Sequence, residues 1–286
     1  MAALELKTWN LAIGADQPLV VIAGLNVLED LELARDAARH LKAVCAELGL
    51  PYVFKASFDK ANRSSIRSYR GPGLEEGLKI LRQIKDEFDV PICTDLHEIS
   101  QAQPVAAVAD LVQIPAFLCR QTDLVVATAE ATQAAGGLLH VKKGQFLAPW
   151  DCRNILDKIK EAVGVDMTIL CERGVSFGYN NLVVDMLGIA EIQALGAPVT
   201  IDATHAVQLP GANPKSNGAS TGGRREGVVH QDGDDPRAVA REVDLESLGL
   251  AIQRQRPERV PYRLDVRIEF VRFLGLDRRL NVGLLQ

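Results

Sequence analysis

Seven short apolar runs, with an amphipathic stretch between each and the next, constrain this chain more than any other feature. Residues 18–24, 51–57, 90–95, 110–115, 138–142, 167–171 and 198–203 read as strands covered on both faces. Residues 28–48, 73–88, 100–109, 121–135, 152–163 and 181–195 read as the helices between them. Units of 20 to 50 residues repeat with no linker between them. That pattern predicts an α/β fold, a (β/α)8 TIM barrel. Two alternating segments around Thr8 and Trp9 predict a short N-terminal hairpin that plugs it. A doubly wound open sheet is the alternative, but no Gly-x-Gly-x-x-Gly follows the first strand. Gly71, Gly73 and Gly77 have the wrong spacing for it and carry no nucleotide meaning. The alternation weakens after Glu226. Residues 227–241 are polar and acidic, 253–263 are mostly charged, and only 264–270 read as a strand, so an eighth βα unit is hard to see. Residues 1–226 are therefore expected to form the barrel domain, with 227–286 an atypical C-terminal segment.

Composition narrows the ligands. The formal net charge of −5 excludes a general attraction to nucleic acid or anionic membrane, so a local cluster of cations carries information. No apolar run approaches the roughly 18 residues that span a bilayer, and the first residues lack a basic start followed by an apolar core. Five cysteines without a Cys-x-x-Cys pair fit buried, reduced thiols. The expectation is a cytoplasmic protein.

In a βα barrel the site lies at the C-terminal ends of the strands. Here those ends carry Lys55 and Ser57, Asp95 and His97, Gln113 with Arg120 on its loop, Lys142 and Lys143, Arg173, and His205. The second strand runs into Lys55-Ala-Ser-Phe-Asp-Lys-Ala-Asn-Arg-Ser-Ser, where Lys60 and Arg63 stand among Ser57, Asn62, Ser64 and Ser65. Cations beside small hydroxyl and amide donors suit a phosphorylated ligand, although one such lysine alone reads as a solvated loop residue. Alternation puts Val53, Lys55 and Ser57 on one face, and likewise Cys93 with Asp95, Cys171 with Arg173, and Ile201 and Ala203 with His205. Five or six cations around one cup imply a ligand, or two, with several negative charges, such as sugar phosphates or phosphoenolpyruvate. His205 and Asp95 are the candidates for proton transfer. His97 and His140 read as structural and His40 as a surface residue. No cluster at metal-ligand spacing is visible, so no metal is expected.

The ordered motifs resemble one family. They include the segment from Lys55, Gly71-Pro-Gly-Leu-Glu-Glu-Gly, Thr94-Asp-Leu-His-Glu, Gln113-Ile-Pro-Ala-Phe-Leu, Val141-Lys-Lys-Gly-Gln-Phe, Cys171-Glu-Arg-Gly, Asp202-Ala-Thr-His-Ala and Gly222-Gly-Arg-Arg-Glu. Across roughly residues 5 to 226 the chain is similar to the 3-deoxy-D-manno-octulosonate 8-phosphate synthases. The resemblance implies a homotetrameric (β/α)8 enzyme of lipopolysaccharide Kdo biosynthesis that condenses phosphoenolpyruvate with D-arabinose 5-phosphate. It implies that Lys55, Ser57, Lys60, Gln113, Ala116, Lys142, Arg173 and His205 hold phosphoenolpyruvate. Asn62, Arg63 and Ser64 would hold the pentose phosphate, with Arg120 reaching in from a neighbouring subunit. Asn26, Lys60, Asp95 and His205 would be catalytic. Members that use a metal carry a cysteine where this chain has Asn26, so the metal-independent branch, with no cofactor, is implied. A related synthase that takes erythrose 4-phosphate shares the barrel. After Glu226 the family's eighth-strand motifs are missing, which reads as a reading-frame change or a replaced or disordered tail. The competing expectation is a barrel without turnover that at most binds phosphorylated anions.

Overall fold

The computed structural model describes residues 3–14, 16–63, 65–207 and 266–271. A two-stranded antiparallel hairpin, β1 (Leu4–Leu6) and β2 (Leu11–Ile13), comes first. Its turn passes through Asn10 in the left-handed region, at φ 47°. The hairpin packs Leu6 and Ile13 into the core, and its Trp9 Nε1 donates to Asp110 Oδ1 at 2.7 Å. Asp110 also accepts from Lys85 Nζ and from the Ile92 backbone N–H, so one carboxylate ties the hairpin to the base of the sheet.

The alternation then unfolds as the apolar pattern predicts. In order come β3 (Val20–Leu25), α1 (Leu31–Glu47), β4 (Tyr52–Ala56), α2 (Leu74–Phe88), β5 (Ile92–Asp95) and α3 (Ala102–Ala106). They are followed by β6 (Leu111–Ile114), α4 (Thr122–Ala134), β7 (Leu138–Lys142), α5 (Arg153–Val163) and β8 (Thr168–Glu172). A small antiparallel ribbon, β9 (Val175–Ser176) with β10 (Leu182–Val183), precedes α6 (Met186–Ala194) and β11 (Val199–Asp202). The strands β3 to β8 are buried along their whole length, which is why they read as unbroken apolar runs. Helices face them with apolar stripes, such as Ala34, Ala37, Ala38 and Cys45 on α1 or Gly77, Ile80, Leu81 and Ile84 on α2. Asp30 caps α1 by accepting from the Leu33 N–H at 2.8 Å. The last helix begins later than residue 181, because Leu182 and Val183 pair with Ser176 and Val175 before Asp185 caps the helix.

The seven strands β3 to β8 and β11 are parallel neighbours. An eighth, β12 (Val266–Val271), closes the barrel between β11 and β3. It runs antiparallel to both, pairing Asp202 with Glu269 and Val20 through Leu25 with Val271 through Val266. This departs from a uniform (β/α)8 barrel, in which the eighth strand is parallel and follows a helix. The segment anticipated as a strand is one, but its direction is reversed. Either direction satisfies the open backbone donors and acceptors of the two facing edges, whereas a parallel strand needs a right-handed crossover. The rest of 227–286, and the motif at 222–226, lie outside the described residues. Among the described residues no helix is long and apolar enough to cross a membrane. All five cysteines are buried and unbridged.

Candidate active site

Two clusters of buried polar side chains stand at the C-terminal ends of the parallel strands. The first is built by β4, β5 and β6. Lys55, one residue before the end of β4, reaches across the barrel interior to Gln113 on β6, its Nζ 2.5 Å from Oε1. Lys60 folds back so that its Nζ donates to Ser57 Oγ at 2.6 Å. Asp95 closes β5, and its Oδ2 lies 3.4 Å from His97 Nε2. Burial pushes the Asp95 carboxyl up, but Lys60, the His97 hydrogen bond and Lys55 outweigh it and hold it well below the usual carboxylate range. Its Oδ1 is buried with no hydrogen-bond partner, and so is Oδ1 of Asn26, just past β3. Such atoms are costly unless a ligand or water meets them.

The described residues of the loop from Ser57 to Gly73 are anchored by side-chain hydrogen bonds. Arg70 makes a two-pronged pair with Asp59, at 2.8 and 2.5 Å, while Tyr69 Oη donates to the Leu28 carbonyl at 3.0 Å. Arg63 is half-buried and donates Nε to the Tyr69 carbonyl, and Asn62 is exposed. Ser64 lies outside the described residues. Gly71, at φ 120°, could not carry a side chain, since a Cβ there would lie 2.3 Å from the Phe58 carbonyl oxygen.

The second cluster is organised by a residue that strand-end reading left unassigned. Asp202, fully buried at the end of β11, accepts from Lys142 Nζ and lies 2.6 Å from His205 Nδ1, while its other oxygen accepts the His205 backbone N–H at 3.0 Å. Burial raises its pKa, but His205, Lys142 and Arg173 together hold it well below the usual carboxylate range. The expectation that Ile201 and Ala203 line the interior with His205 is therefore corrected. Thr200 and Asp202 occupy that face, where Thr200 Oγ1 meets His140 Nε2 at 2.8 Å and Asp202 meets Lys142. His205 follows the strand on a short 3-10 turn, which swings it back toward its partner. The signal that could have revealed Asp202 is a carboxylate inside an otherwise apolar strand, a position that demands a buried cation.

The remaining candidates fall into place unevenly. Ala116 is buried shortly after β6, and Arg120 is exposed on the following loop. Lys143 is not a rim cation. It points away from Lys142, behind the barrel wall, where its Nζ lies 3.4 Å from Glu172 Oε2. Among the described residues no group of three or more His, Cys, Asp or Glu is arranged to hold a metal ion. The cup thus concentrates Lys55, Lys60, Lys142 and Arg173, each at least nine-tenths buried, around the carboxylates of Asp95 and Asp202, with His97 and His205 beside them. Buried charge of this density suits a ligand with several negative charges and little water.

A model of the DAHP synthetase I family matches residues 2–231. The chain is 57% identical over 216 residues to a 2-dehydro-3-deoxyphosphooctonate aldolase of Shewanella frigidimarina, covering 76% of this chain and 73% of that protein. The enzymes of that name from Hahella chejuensis and Marinobacter nauticus are 55% and 54% identical over 229 residues, 80% of this chain and 78% of each.

Proposed function

The chain belongs to the DAHP synthetase I family, and from that membership we propose that it condenses phosphoenolpyruvate with D-arabinose 5-phosphate and water. The products are 3-deoxy-D-manno-octulosonate 8-phosphate and inorganic phosphate, on the route to the Kdo of lipopolysaccharide. One observation carries the reading: Lys55, Lys60, Lys142 and Arg173 are buried together at the strand ends of one barrel. The name shared by the relatives favours the five-carbon sugar over erythrose 4-phosphate. No observation favours a barrel without turnover.

In this reading Lys55, Ser57, Lys60, Gln113, Ala116, Lys142, Arg173 and His205 hold phosphoenolpyruvate, and Asn62, Arg63 and Ser64 hold the pentose phosphate. The enol carbon attacks the aldehyde, water adds to the adjacent carbon, and phosphate departs with its bridging oxygen. The cations stabilise negative charge as it moves between carboxylate, phosphate and the new alkoxide. Holding two mutually repelling anions in register lowers the barrier further. Asp95, kept ionised, is suited to accept hydrogen bonds from sugar or water rather than to donate a proton. His205, oriented through Nδ1 by Asp202, can use Nε2 for proton transfer. We also propose that the reaction needs no metal, because the Asn26 amide is a poor ligand for a soft divalent ion. Its buried Oδ1 is free to orient water. Exposed Phe117, Phe146, Trp150, Phe177 and Tyr179, on loops after β6, β7 and β8, support assembly into a homotetramer in which Arg120 serves a neighbouring site. The buried, unbridged thiols fit a cytoplasmic setting.

The test is phosphate release by the purified protein. Turnover should require both phosphoenolpyruvate and arabinose 5-phosphate and survive a chelator. Turnover with erythrose 4-phosphate in place of the pentose, or none with either sugar, overturns the substrate assignment. Loss of activity on chelation, restored by a divalent ion, overturns the metal-free one.

A further inference from the structure

Lys142 ends β7 and Arg173 directly follows β8, and each has a charged sequence neighbour of the opposite facing. Lys143 comes after the first, and Glu172 before the second. Alternation sends Lys142 and Arg173 into the cup and sends their neighbours out behind the wall. There, Lys143 is 0% and Glu172 2% exposed. Lys143 Nζ reaches Glu172 Oε2 at 3.4 Å and the Leu147 carbonyl at 3.3 Å. Glu172 uses its other oxygen to accept the Gly174 N–H at 2.5 Å. The Lys143 N–H bonds the Cys171 carbonyl at 2.9 Å, and the Ser176 N–H bonds the Gln145 carbonyl at 3.0 Å. The pair therefore staples the loop after β7 to the loop after β8.

We propose that the Lys143–Glu172 pair positions Lys142 and Arg173 for phosphoenolpyruvate. A buried ion pair adds little net stability over apolar packing, so stability alone does not account for this one. Here it fixes the backbone of two consecutive residue pairs. A shift of the backbone at Lys143 or Glu172 must move Lys142 or Arg173 with it, because no residue separates them. Neither side chain touches the cup, so both are positioning residues. Buried Cys152 beside Lys143, pushed up to about 12 by burial, stays a thiol and offers no competing anion.

The inference rests on the condensation proposed above. Its test uses Glu172→Asp, which keeps the charge and withdraws the carboxylate by one methylene, and the neutral double variant Lys143→Met with Glu172→Gln. Both are measured beside the wild type for KM of each substrate, kcat and melting temperature. The expected result for Glu172→Asp is a KM for phosphoenolpyruvate raised about tenfold, with the KM for arabinose 5-phosphate unchanged. The double variant should melt near the wild-type temperature yet keep the raised KM, a separation that a purely structural role would not produce. A wild-type KM for phosphoenolpyruvate in Glu172→Asp overturns the inference, whether or not the double variant folds. Equal rises in both KM values, tracking a lowered melting temperature, overturn it as well. A wild-type enzyme that releases no phosphate sinks the functional reading and this inference with it.

Discussion

Asp202 is the single residue on which the second half of the site depends. Its carboxylate serves Lys142 and His205 at once, so Asp202→Asn leaves buried cations facing one another. Removing one member of such a group costs on the order of 3–5 kcal/mol, and urea melts at neutral pH should register that loss alongside a collapse in kcat. The same residue predicts a pH dependence. A carboxyl held below its unfolded value contributes stability that is fully present above about pH 3.9 and lost as pH falls through the folded value. Asp95 adds to the same acid limb. Melts between pH 6 and 3 should show a shallower limb in Asp202→Asn than in the wild type; equal slopes would mean the carboxylate is not depressed. Arg63→Ala should raise the KM for arabinose 5-phosphate at least tenfold and leave that for phosphoenolpyruvate unchanged, as steady-state kinetics can read. At this scale the sequence was partly legible. Lys55, Gln113 and Arg173 declare themselves by standing at strand ends, and Lys60 by standing among small polar residues just beyond one. Lys143 and Asp202 do not, because adjacent residues at a strand end point to opposite walls, and a slip of one position exchanges inside for outside.

At the scale of elements, strands were easier to read than what joins them. Runs such as Val20–Leu25 or Leu138–Lys142 are apolar without interruption because helices or core cover both faces. The start of α6 was not legible, since Leu182 and Val183 have helical-looking neighbours and only the backbone pairing to Val175 and Ser176 withdraws them. The loop between β4 and α2 is the element whose geometry function leans on most. Gly71 allows its chain to return past Phe58, and Gly77 lets α2 lie against the Phe58 side chain, where a Cβ would come within 2.3 Å. Gly71→Ala adds both a strained positive φ and a backbone clash, at a cost of about 1–3 kcal/mol for the strain alone. Because Lys60 and Arg63 ride on that loop, the expected outcome is a raised KM for both substrates together with a lowered melting temperature. Normal KM values in a folded Gly71→Ala protein would show that the loop does not set the site.

For the whole molecule the decisive feature is the seam. Seven parallel strands leave two open edges, and β12 occupies the gap between them in reverse. The motif loss after Glu226 was legible, as was a strand close to residues 264–270, but direction was not. Apolar alternation has no polarity, and chain direction is set by which edges remain unpaired. Ile268→Pro removes one ladder donor opposite Ala23 and should lower stability by at least about 1 kcal/mol, measured by thermal melting. An unchanged melt would mean that β12 does not hold the seam. The reversed strand also orders events in time. Val266 stands 64 residues beyond Asp202, whereas β8 and β11 are separated by 27, from Glu172 to Val199. By chain separation alone, closure is expected to carry the greatest entropic cost of any step between consecutive barrel strands and to come last. Until then a refolding chain displays two bare strand edges, so its yield should fall as protein concentration rises. Pulse-labelling during refolding should find the amides that bond β12 protected later than those between β6 and β7.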